Sequence, residues 1–293
     1  MMLQRQGGAL LLMVSLLLAT LAALAFGMNR AGGVELRSIN DDYEERAAAY
    51  LAEAGVAAAR WSGQVGGCTY RPLSPIPLGA GVVTINASGK DKIDVTATGA
   101  VNGTTRTVTG TRLRLFDFTE TETIDLAQDM IDTTIEQPSA GPLELLQTLR
   151  LSSDKAHVLM SWDLDDIDDN DVLVLSATLT LVPTAASGVV RQVAVHRVTT
   201  PWDKSATWIK ARPASSWNGG IYANAVVATA SVGAASATWD LTGLFDSCAS
   251  KRLAANGVLL RLVDSGQEVY FHSLEAATSS RRPTLRVVLA EEC

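Results

Sequence analysis

Three tryptophans, Trp202, Trp208 and Trp217, lie in a stretch of the chain that is rich in Pro and Ser. An exposed indole ring can stack on the face of a sugar, because it combines a large apolar area with a polar edge. These three residues are therefore candidates for glycan binding. The alternative is that they pin a loop to the domain beneath it, since large aromatic side chains are mostly buried. Trp162 and Trp239 fall inside strand-like patterns and are predicted to lie in the core.

An acidic run forms the second candidate site. Asp163–Asp171 holds six carboxylates in nine residues, and such oxygen-rich clusters can bind calcium. The run does not match the EF-hand pattern, which has Gly at its sixth position and Glu at its twelfth. A turn that simply faces water is the alternative, because acidic clusters usually lie on solvated surfaces. The candidate calcium ligands are Asp165, Asp166, Asp168, Asp169 and Asp171.

The remaining polar residues do not indicate catalysis. His157, His196 and His272 are scattered along strand-like segments without an adjacent metal-ligand partner. The sequence has no Gly-x-Ser-x-Gly elbow and no phosphate-binding glycine loop between a strand and a helix. We therefore predict a protein that is not an enzyme, with calcium as the one cofactor to test.

Composition narrows the class of partner. The 293-residue chain has a net charge of −7, whereas nucleic-acid binding needs clustered Lys and Arg to release counterions. No nucleic-acid partner is expected. Hydrophobic residues make up 47% of the chain, which is enough to bury a core of ordinary size.

The three cysteines, Cys68, Cys248 and Cys293, form no C-x-x-C pair. A disulfide is their simplest use in an exported protein. We prefer the pair Cys248 and Cys293, because both fall in the same predicted terminal domain. The sequence itself leaves the pairing open.

The N-terminus predicts a membrane-inserting helix. Gly7 to Met28 contains no charged side chain, and its 22 residues are enough to cross the hydrocarbon core of a bilayer. Arg5 precedes this segment, so the positive-inside rule leaves the short N-terminus in the cytoplasm and the rest of the chain outside. A cleaved secretory signal is the alternative, although the apolar run exceeds the usual length of a signal core.

A helical pattern continues over Val34–Trp61, which is rich in helix formers and lacks proline. Apolar residues recur in it at steps of three and four, so one apolar stripe is predicted along a polar rod. The stripe consists of Leu36, Ile39, Tyr43, Ala47, Tyr50, Leu51, Ala54 and Ala58.

This N-terminal part resembles the type IV pilin superfamily, and within it the PilX-like minor pilins and pseudopilins. The resemblance covers roughly the first 115 residues. It is carried by Arg5-Gln6-Gly7-Gly8-Ala9-Leu10-Leu11, by the apolar helix, and by Tyr50–Ala59. It implies a prepilin peptidase that cuts after Gly7, with Gly8 as the second choice, and a helix that packs into a filament core.

One position departs from the pattern of major pilins. Their fifth mature residue is Glu, whereas this chain has Leu12 or Met13 there, depending on the cleavage site. A buried carboxylate without its partner is costly, so its absence suits a minor or tip subunit. The resemblance implies other pilin subunits, the prepilin peptidase and the inner membrane as partners.

Residues 63–115 change character to short β-branched runs. Val82–Asn86, Lys92–Thr98 and Thr104–Thr109 are separated by turn signals and predict a small antiparallel sheet. Asn102-Gly103 predicts a tight hairpin turn between the last two runs. A sheet this small needs a helix to cover one face. A spacer between independent domains is the alternative.

The remaining residues, from about Thr123, form a β-rich block. Short strand-like runs bounded by Gly, Pro, Asp or Ser predict a two-sheet β-sandwich with jelly-roll-like connections. Leu241–Phe245 predicts a single helical turn. The nine predicted strands are Leu145–Leu151, Ala156–Trp162, Val172–Leu181, Val189–Val198, Ala225–Thr229, Ala237–Leu241, Gly257–Leu262, Glu268–His272 and Thr284–Leu289.

This block resembles the DNRLRE-type β-sandwich domain, which is related to carbohydrate-binding modules. The resemblance implies polysaccharide or surface binding and no catalysis. Near the family's name motif the chain keeps only a Ser-x-Glu element, Ser273-Leu274-Glu275. The residues that carry the match are Asp132–Ile135, Leu159–Leu164, Val172–Leu181, Thr200–Trp208, Trp239–Thr242, Asn256–Leu260 and Arg282–Val287.

The expected organisation is mainly β with a long N-terminal helix. It comprises a leader (1–7), a transmembrane and stalk helix (8–61), a small pilin-like sheet (62–118) and a β-sandwich (119–293). The predicted function is a non-enzymatic minor pilin or pseudopilin that binds a polysaccharide or host surface. Before assembly it would cross the inner membrane once with its terminal domain in the periplasm, and after assembly it would be extracellular. The alternative is a membrane-anchored carbohydrate-binding or glycan-processing protein outside any filament.

Overall fold

The computed structural model describes residues 39–126, 130–138, 141–153, 155–163, 171–185, 189–245, 256–265 and 267–293. The chain divides into two compact units, Met1–Leu115 and Phe116–Cys293. The division falls three residues before the predicted boundary at 118. The described residues are mainly strands in antiparallel sheets, preceded by one helix, which confirms the predicted class.

The helix of the first unit, α1, covers residues 39–65 of the described chain and ends at Gly66 and Gly67. Gly67 has a positive φ of 63°, a conformation that suits glycine after a helix. Among the residues described, no helix is long and apolar enough to cross a membrane. The predicted membrane segment and the cleavage residues Gly7 and Gly8 lie outside the described residues.

The sheet of the first unit has the order β1-β2-β3-β4 within the described residues. Val101 of β3 pairs with Thr104 of β4, and Asn102 and Gly103 between them both have positive φ. The predicted Asn102-Gly103 hairpin is therefore confirmed, because a two-residue turn of this type needs positive φ at both positions. The strands are β1 (Ile76–Leu78), β2 (Gly81–Lys90), β3 (Lys92–Val101) and β4 (Thr104–Arg114).

Small residues let α1 lie close against this sheet. Ala48 and Leu51 of α1 form a buried cluster with Val101 of β3. A Cβ at Gly99 would lie 2.2 Å from the carbonyl oxygen of Ala48, and one at Gly55 would lie 2.6 Å from Val83 Cγ2. No real Cβ tolerates such distances, so the two glycines are needed for the close approach.

The face of α1 that is buried is largely distinct from the predicted apolar stripe. Ala48, Leu51, Ala52 and Ala59 are buried, whereas most of the predicted stripe is exposed. Leu51 belongs to both sets. The hydrophobic pattern did not reveal the buried face, because alanines and a glycine, which contribute little to such a pattern, fill the face that packs on the sheet.

The second unit contains thirteen strands among its described residues. They form a seven-stranded sheet with the order β13-β10-β15-β8-β7-β16 and with β6 paired to β8, a four-stranded sheet with the order β14-β9-β17-β5, and a β11-β12 pair. The strands are β5 (Phe116–Asp125), β6 (Met130–Glu136), β7 (Thr148–Ser152), β8 (Ala156–Trp162), β9 (Val172–Leu181), β10 (Arg191–Val198), β11 (Lys210–Arg212), β12 (Ser215–Ser216), β13 (Tyr222–Val232), β14 (Ala237–Asp240), β15 (Val258–Leu262), β16 (Glu268–His272) and β17 (Thr284–Glu292).

The main hydrophobic core of this unit takes side chains from both large sheets. Val195 and Leu260 come from the seven-stranded sheet, and Leu179 and Val287 come from the four-stranded sheet. Trp162 and Trp239 belong to the same core, which confirms their predicted burial.

The opposite face of the seven-stranded sheet is covered as well. A second buried cluster joins Leu159, Val198 and Leu259 of the sheet to Trp208 and Trp217 of the loop that precedes β13. Strands buried on both faces read as continuous apolar runs. This second cover explains why β10 shows no clean alternation of apolar and polar residues.

All nine predicted strands of the second unit are present; β8, β9 and β16 have the predicted bounds, and the ends of the others are shifted by one to three residues. The helical turn at Thr242–Leu244 is confirmed. β5, β6 and the short strands β11 and β12 were not predicted from the sequence. β5 alternates Thr with Glu and Asp, and β6 contains an aspartate, so both lack the apolar pattern that marks a strand.

The cysteine prediction requires a correction. Cys293 is disulfide-bonded, but so is Cys68. Three cysteines form at most one disulfide within a chain, so the predicted pair of Cys248 and Cys293 is wrong. Cys248 lies outside the described residues.

Candidate functional site

The three candidate tryptophans anchor the loop that covers the outer face of the seven-stranded sheet. Trp208 and Trp217 each retain 7% of their surface, and Trp202 is half-buried. Trp202 Nε1 donates to the carbonyl of Asn256, and Trp217 Nε1 donates to the carbonyl of Thr207, at 2.8 and 2.7 Å. Buried indole N–H groups need such acceptors. The buried rings of Trp208 and Trp217 are thus unavailable to a stacked sugar.

Trp208 occupies the centre of this arrangement. Its indole Nε1 donates to Asn218 Oδ1 at 2.9 Å, and its carbonyl accepts from Gly219 N–H at 2.7 Å. Its ring lies 5.1 Å from the imidazole of His157, and His157 Nδ1 is 2.8 Å from the Gly219 carbonyl. These contacts fix the loop to β8 and hold Asn218 in one orientation.

A cleft of about 490 Å³ lies beside Trp208. Gln137 N–H donates to the Lys155 carbonyl at 2.8 Å, which continues the pairing of β6 with β8 and holds one wall in place. The volume is within the range of small-ligand sites. The cleft is lined by Gln137, Pro138, Lys155, Trp208, Ile209 and Asn218.

The polar groups of the cleft are mainly hydrogen-bond donors. In the described part of the chain, Lys155 meets no carboxylate and the Gln137 carboxamide has no hydrogen bond. Because Asn218 Oδ1 already accepts from Trp208, its amide N–H groups remain for a ligand. Pro138 and Ile209 supply apolar contact area. The cleft therefore suits a small, acceptor-rich ligand.

Of the residues singled out from the sequence, only Trp208 lines this cleft. Gln137, Lys155 and Asn218 were missed, since a lone lysine and two amides far apart in sequence carry no motif. The signal for Asn218 was its place in the Trp-containing loop.

A second group missed from the sequence is a buried carboxyl in β6. Asp132 is 4% exposed, and its Oδ2 accepts from Leu274 N–H at 2.9 Å. Burial, and to a smaller extent the nearby carboxyl of Glu275, raises the pKa of Asp132 to about 7. In the sequence, Asp132 was notable only as the first residue of the segment Asp132–Ile135, which resembles part of the DNRLRE-type domain.

The acidic run falls mostly outside the described residues, which include Asp163 and Asp171 but none of residues 164–170. Asp171 is exposed, and its carbonyl accepts from Glu292 N–H at 2.6 Å. Among the described residues, no three His, Cys, Asp or Glu side chains gather where they could hold a metal. Calcium binding by the run stays a prediction.

A third candidate surface is an apolar stripe on α1, here called the exposed stripe. Tyr43, Tyr50 and Trp61 keep 68%, 70% and 58% of their surface exposed, and Ile39 and Val65 extend the row at both ends. The spacing places all five on one side of the helix, nearly opposite the buried alanines. A row of exposed aromatic side chains indicates a protein-binding surface.

No family model matches this chain, and no curated protein and no solved structure matches it.

Proposed function

We propose that this protein is a non-enzymatic minor pilin or pseudopilin, a subunit of a type IV pilus or of a related secretion filament. The observation that carries the proposal is the exposed stripe of α1. One face of the helix is already used against β2 and β3, so the stripe is free for another subunit. The uncharged segment from Gly7 to Met28 would continue the helix into the inner membrane and later into the filament core.

The composition of α1 supports assembly. Its buried face consists of small residues that allow close packing within the subunit, whereas Tyr43, Tyr50 and Trp61 face solvent. Aromatic residues are enriched at protein interfaces, where they bury much area with few rotatable bonds. A helix that only linked a membrane to a distant domain would need no such row.

The second unit supplies the binding role in this proposal. Two antiparallel sheets that contribute to one core support a β-sandwich, and jelly-roll-like connections are proposed with it. The cleft lined by Lys155, Asn218 and Trp208 offers donors to a glycan or to another surface ligand. The subunit would thus combine filament assembly with adhesion, first in the inner membrane and periplasm and then outside the cell.

The mature N-terminus tests the assembly route. It is determined by mass spectrometry in cells with and without the prepilin peptidase. The proposal expects a start at Gly8 or Ala9 that depends on the peptidase. An uncleaved chain, or a cut beyond Leu24, would rule out a pilin-like subunit.

The exposed stripe gives a sharper prediction. Replacing Tyr43 and Tyr50 together by Ser is expected to lower the amount of the protein in purified filaments by about tenfold, because about 1.4 kcal/mol of lost interface energy suffices. The matched control is Glu53→Gln, an exposed change on the same helix. Far-UV circular dichroism must show that both variants keep their helix and sheet. Equal incorporation of both variants would count against the stripe as an interface.

A membrane-anchored carbohydrate-binding protein outside any filament is the second candidate. The observation that favours it is the donor-rich cleft beside Trp208, which needs no assembly to act. Retention on a polysaccharide matrix by an uncleaved chain that never co-purifies with filaments would establish this alternative.

A further inference from the structure

A small pocket lies where the start of β10 and the end of β13 approach β16 and the segment that follows β9. Its volume is about 160 Å³, which is below the range of drug-sized sites and suits a ligand of a few non-hydrogen atoms. Among the residues described, it shares no lining residue with the cleft beside Trp208. The residues that decide its chemistry are Ala185, Arg191, Val232, Glu268, Val269 and Tyr270.

Backbone pairing holds the walls of the pocket in place. Arg191 of β10 is paired with Val232 of β13, so their side chains lie beside each other on one face of the sheet. On the β16 side, Thr184 N–H donates to the Tyr270 carbonyl at 2.9 Å, and Pro183 forms a bridge with Phe271. The groups that line the pocket are therefore positioned before a ligand enters.

Arg191 carries a positive charge that no carboxylate pairs with in the described part of the chain. Its Nη2 donates to Gln267 Oε1 at 2.6 Å, and that acceptor is uncharged. Its Nε is enclosed and has no partner among these residues. Because a guanidinium keeps its proton, the charge cannot be relieved by titration. An acceptor from outside the protein is therefore expected on the N–H groups of Arg191 that stay accessible.

Glu268 is the one acidic residue among the described lining residues. Arg150 Nη2 donates to its Oε1, and the Tyr270 hydroxyl donates to its Oε2. These hydrogen bonds lower the pKa of Glu268, so its carboxylate stays ionised and is compensated by Arg150. Arg191 is thus left for a ligand. The negative charge of Glu268 in the same pocket disfavours a doubly charged anion such as sulfate, and a monoanion fits better.

The remaining walls are apolar. Val232 and Val269 keep only 2% and 8% of their surface exposed. At the rim, Val190 is 59% exposed, and its Cγ2 lies 3.9 Å from the position of a Cβ at Gly233, another lining residue. Hydrocarbon beside a single unpaired cation suits a ligand that has one anionic end and an apolar body.

We propose that this pocket binds the carboxylate of a small aliphatic acid. Arg191 donates to the carboxylate from the guanidinium N–H groups that Gln267 does not occupy, and such charge-assisted hydrogen bonds are the strong ones. The hydrocarbon part lies against Val232 and Val269 and extends toward Val190. The site is separate from the cleft beside Trp208, and its function does not depend on filament assembly.

The affinity is expected to be modest, because one guanidinium and a few buried methylene groups supply the binding energy. A Kd of about 1 mM for a four-carbon acid is consistent with these contacts. The pocket would thus respond to an acid that is abundant around the protein.

Saturation-transfer NMR of the full chain in non-ionic detergent, titrated with sodium butyrate, tests the proposal. We expect binding with a Kd of about 1 mM, no comparable binding of the uncharged isostere butyramide, and no displacement of butyrate by an equal concentration of sulfate. Arg191→Gln is expected to weaken butyrate binding about tenfold or more, because the charge and its donors are lost.

Two further variants separate binding from folding. Ala185→Leu leaves Arg191 intact but fills the mouth of the pocket, and it should weaken binding about fivefold or more. Arg197→Gln is the matched control, because it removes the same charge from the same strand outside the pocket and should leave binding unchanged. Far-UV circular dichroism must show that all three variants keep their fold.

Four results would each overturn the proposal. Absence of butyrate binding by the wild-type chain would assign water to Arg191. Equal binding of butyramide would show that the charge is not used, and displacement by sulfate would show a general anion site. Equal weakening by Arg191→Gln and Arg197→Gln would place butyrate elsewhere on the protein.

Discussion

At the residue scale, hydrogen bonds of the indole N–H groups determine the role of the tryptophan side chains. Trp202, Trp208 and Trp217 could stack on sugars or pin a loop, and each indole N–H has an acceptor within the protein. An indole that is held by its N–H and buried on its face stabilises the loop. The candidate cleft therefore depends on Trp208 as a wall that orients Asn218, while ligand contact falls to the amides and Lys155.

Asp132 gives a pH prediction. Its pKa is raised from 3.8 to about 7 by burial, so the folded state holds a proton that the unfolded state releases. Stability from this group is fully present below pH 4 and is lost as the pH rises to about 7. Relative to Asp132→Asn, the free energy of unfolding should fall by up to about 1.4 kcal/mol per pH unit in that window.

Urea unfolding of both chains between pH 4 and pH 8 measures this difference. Other carboxyl groups, such as Glu268, have a pKa lowered by their hydrogen bonds, and they act in the opposite direction at lower pH. Subtracting the Asp132→Asn curve removes their contribution. A constant difference between the two proteins across the window would contradict the prediction.

At the element scale, the β7-β16 pair is joined to the rest of its sheet mainly through side chains. β7 pairs with β8 at a single position, Ser152 with Ala156, whereas β6 pairs with β8 along seven residues. Arg150 of β7 bridges the gap. Its N–H donates to Thr134 Oγ1 at 2.9 Å, and its guanidinium binds Glu136 of β6 and Glu268 of β16. One arginine thus connects three strands.

Arg150→Gln is expected to destabilise the second unit by about 1–2 kcal/mol, because two charge-assisted hydrogen bonds are lost at partly exposed positions. The measurement is urea unfolding at low and high salt, and added salt should reduce the difference. Arg46→Gln is the control. Arg46 pairs with Asp42 on an exposed helix surface, where such a pair contributes less than about 0.5 kcal/mol. Equal effects of the two changes would show that Arg150 does not join the strands.

At the scale of whole molecules, the edge strands of the large sheets of the second unit differ in how well they are protected against pairing with another chain. β5 ends the four-stranded sheet and carries four acidic residues. β16 ends the seven-stranded sheet, and its His272 N–H donates to the Val182 carbonyl of a covering segment. β13, at the other end, has no charged residue over Tyr222–Val232, and its pairing with β10 is interrupted by two register shifts, one of them at Val227. Unprotected edges are sites of association.

Val226, an exposed residue of β13, tests this difference. Val226→Lys should slow heat-induced aggregation of the full chain by about twofold or more without changing its fold, because a charge on an edge opposes strand pairing. Val263→Lys is the control, since Val263 is 60% exposed, close to the 52% of Val226, and follows β15 rather than lying on an edge strand. Light scattering during heating gives the rate. Equal slowing by both changes would indicate a general charge effect.

The sequence predicted elements well where one local signal decides the structure. β8, β9 and β16 have the predicted bounds, and the Asn102-Gly103 hairpin needed only its two turn residues. β5 and β6 were missed because neighbouring strands supply their stability. Their Thr, Glu and Asp residues resemble a solvated loop until a sheet pairs with them.

For the candidate sites too, the sequence predicted what a local signal indicates and missed what long-range contacts bring together. The sequence identified Trp208 by its type and loop, but it did not bring Lys155, Gln137 and Asn218 to one cleft. Those three residues come from separate segments that only strand pairing and the Trp208 contacts unite. Asp132 was an ordinary motif residue until burial separated its Oδ1 from water.

By itself, the sequence determined the mainly β class, the N-terminal helix, most strands and the division into two parts, because periodicity and turn chemistry are local. Only the tertiary structure decided which face of α1 is buried, since Gly55 and Gly99 act by permitting close approach and leave no hydrophobic pattern. It also decided the use of the tryptophans and the isolation of Asp132. Burial and long-range contacts set the properties of those side chains, and neither is encoded in the spacing of residues along the chain.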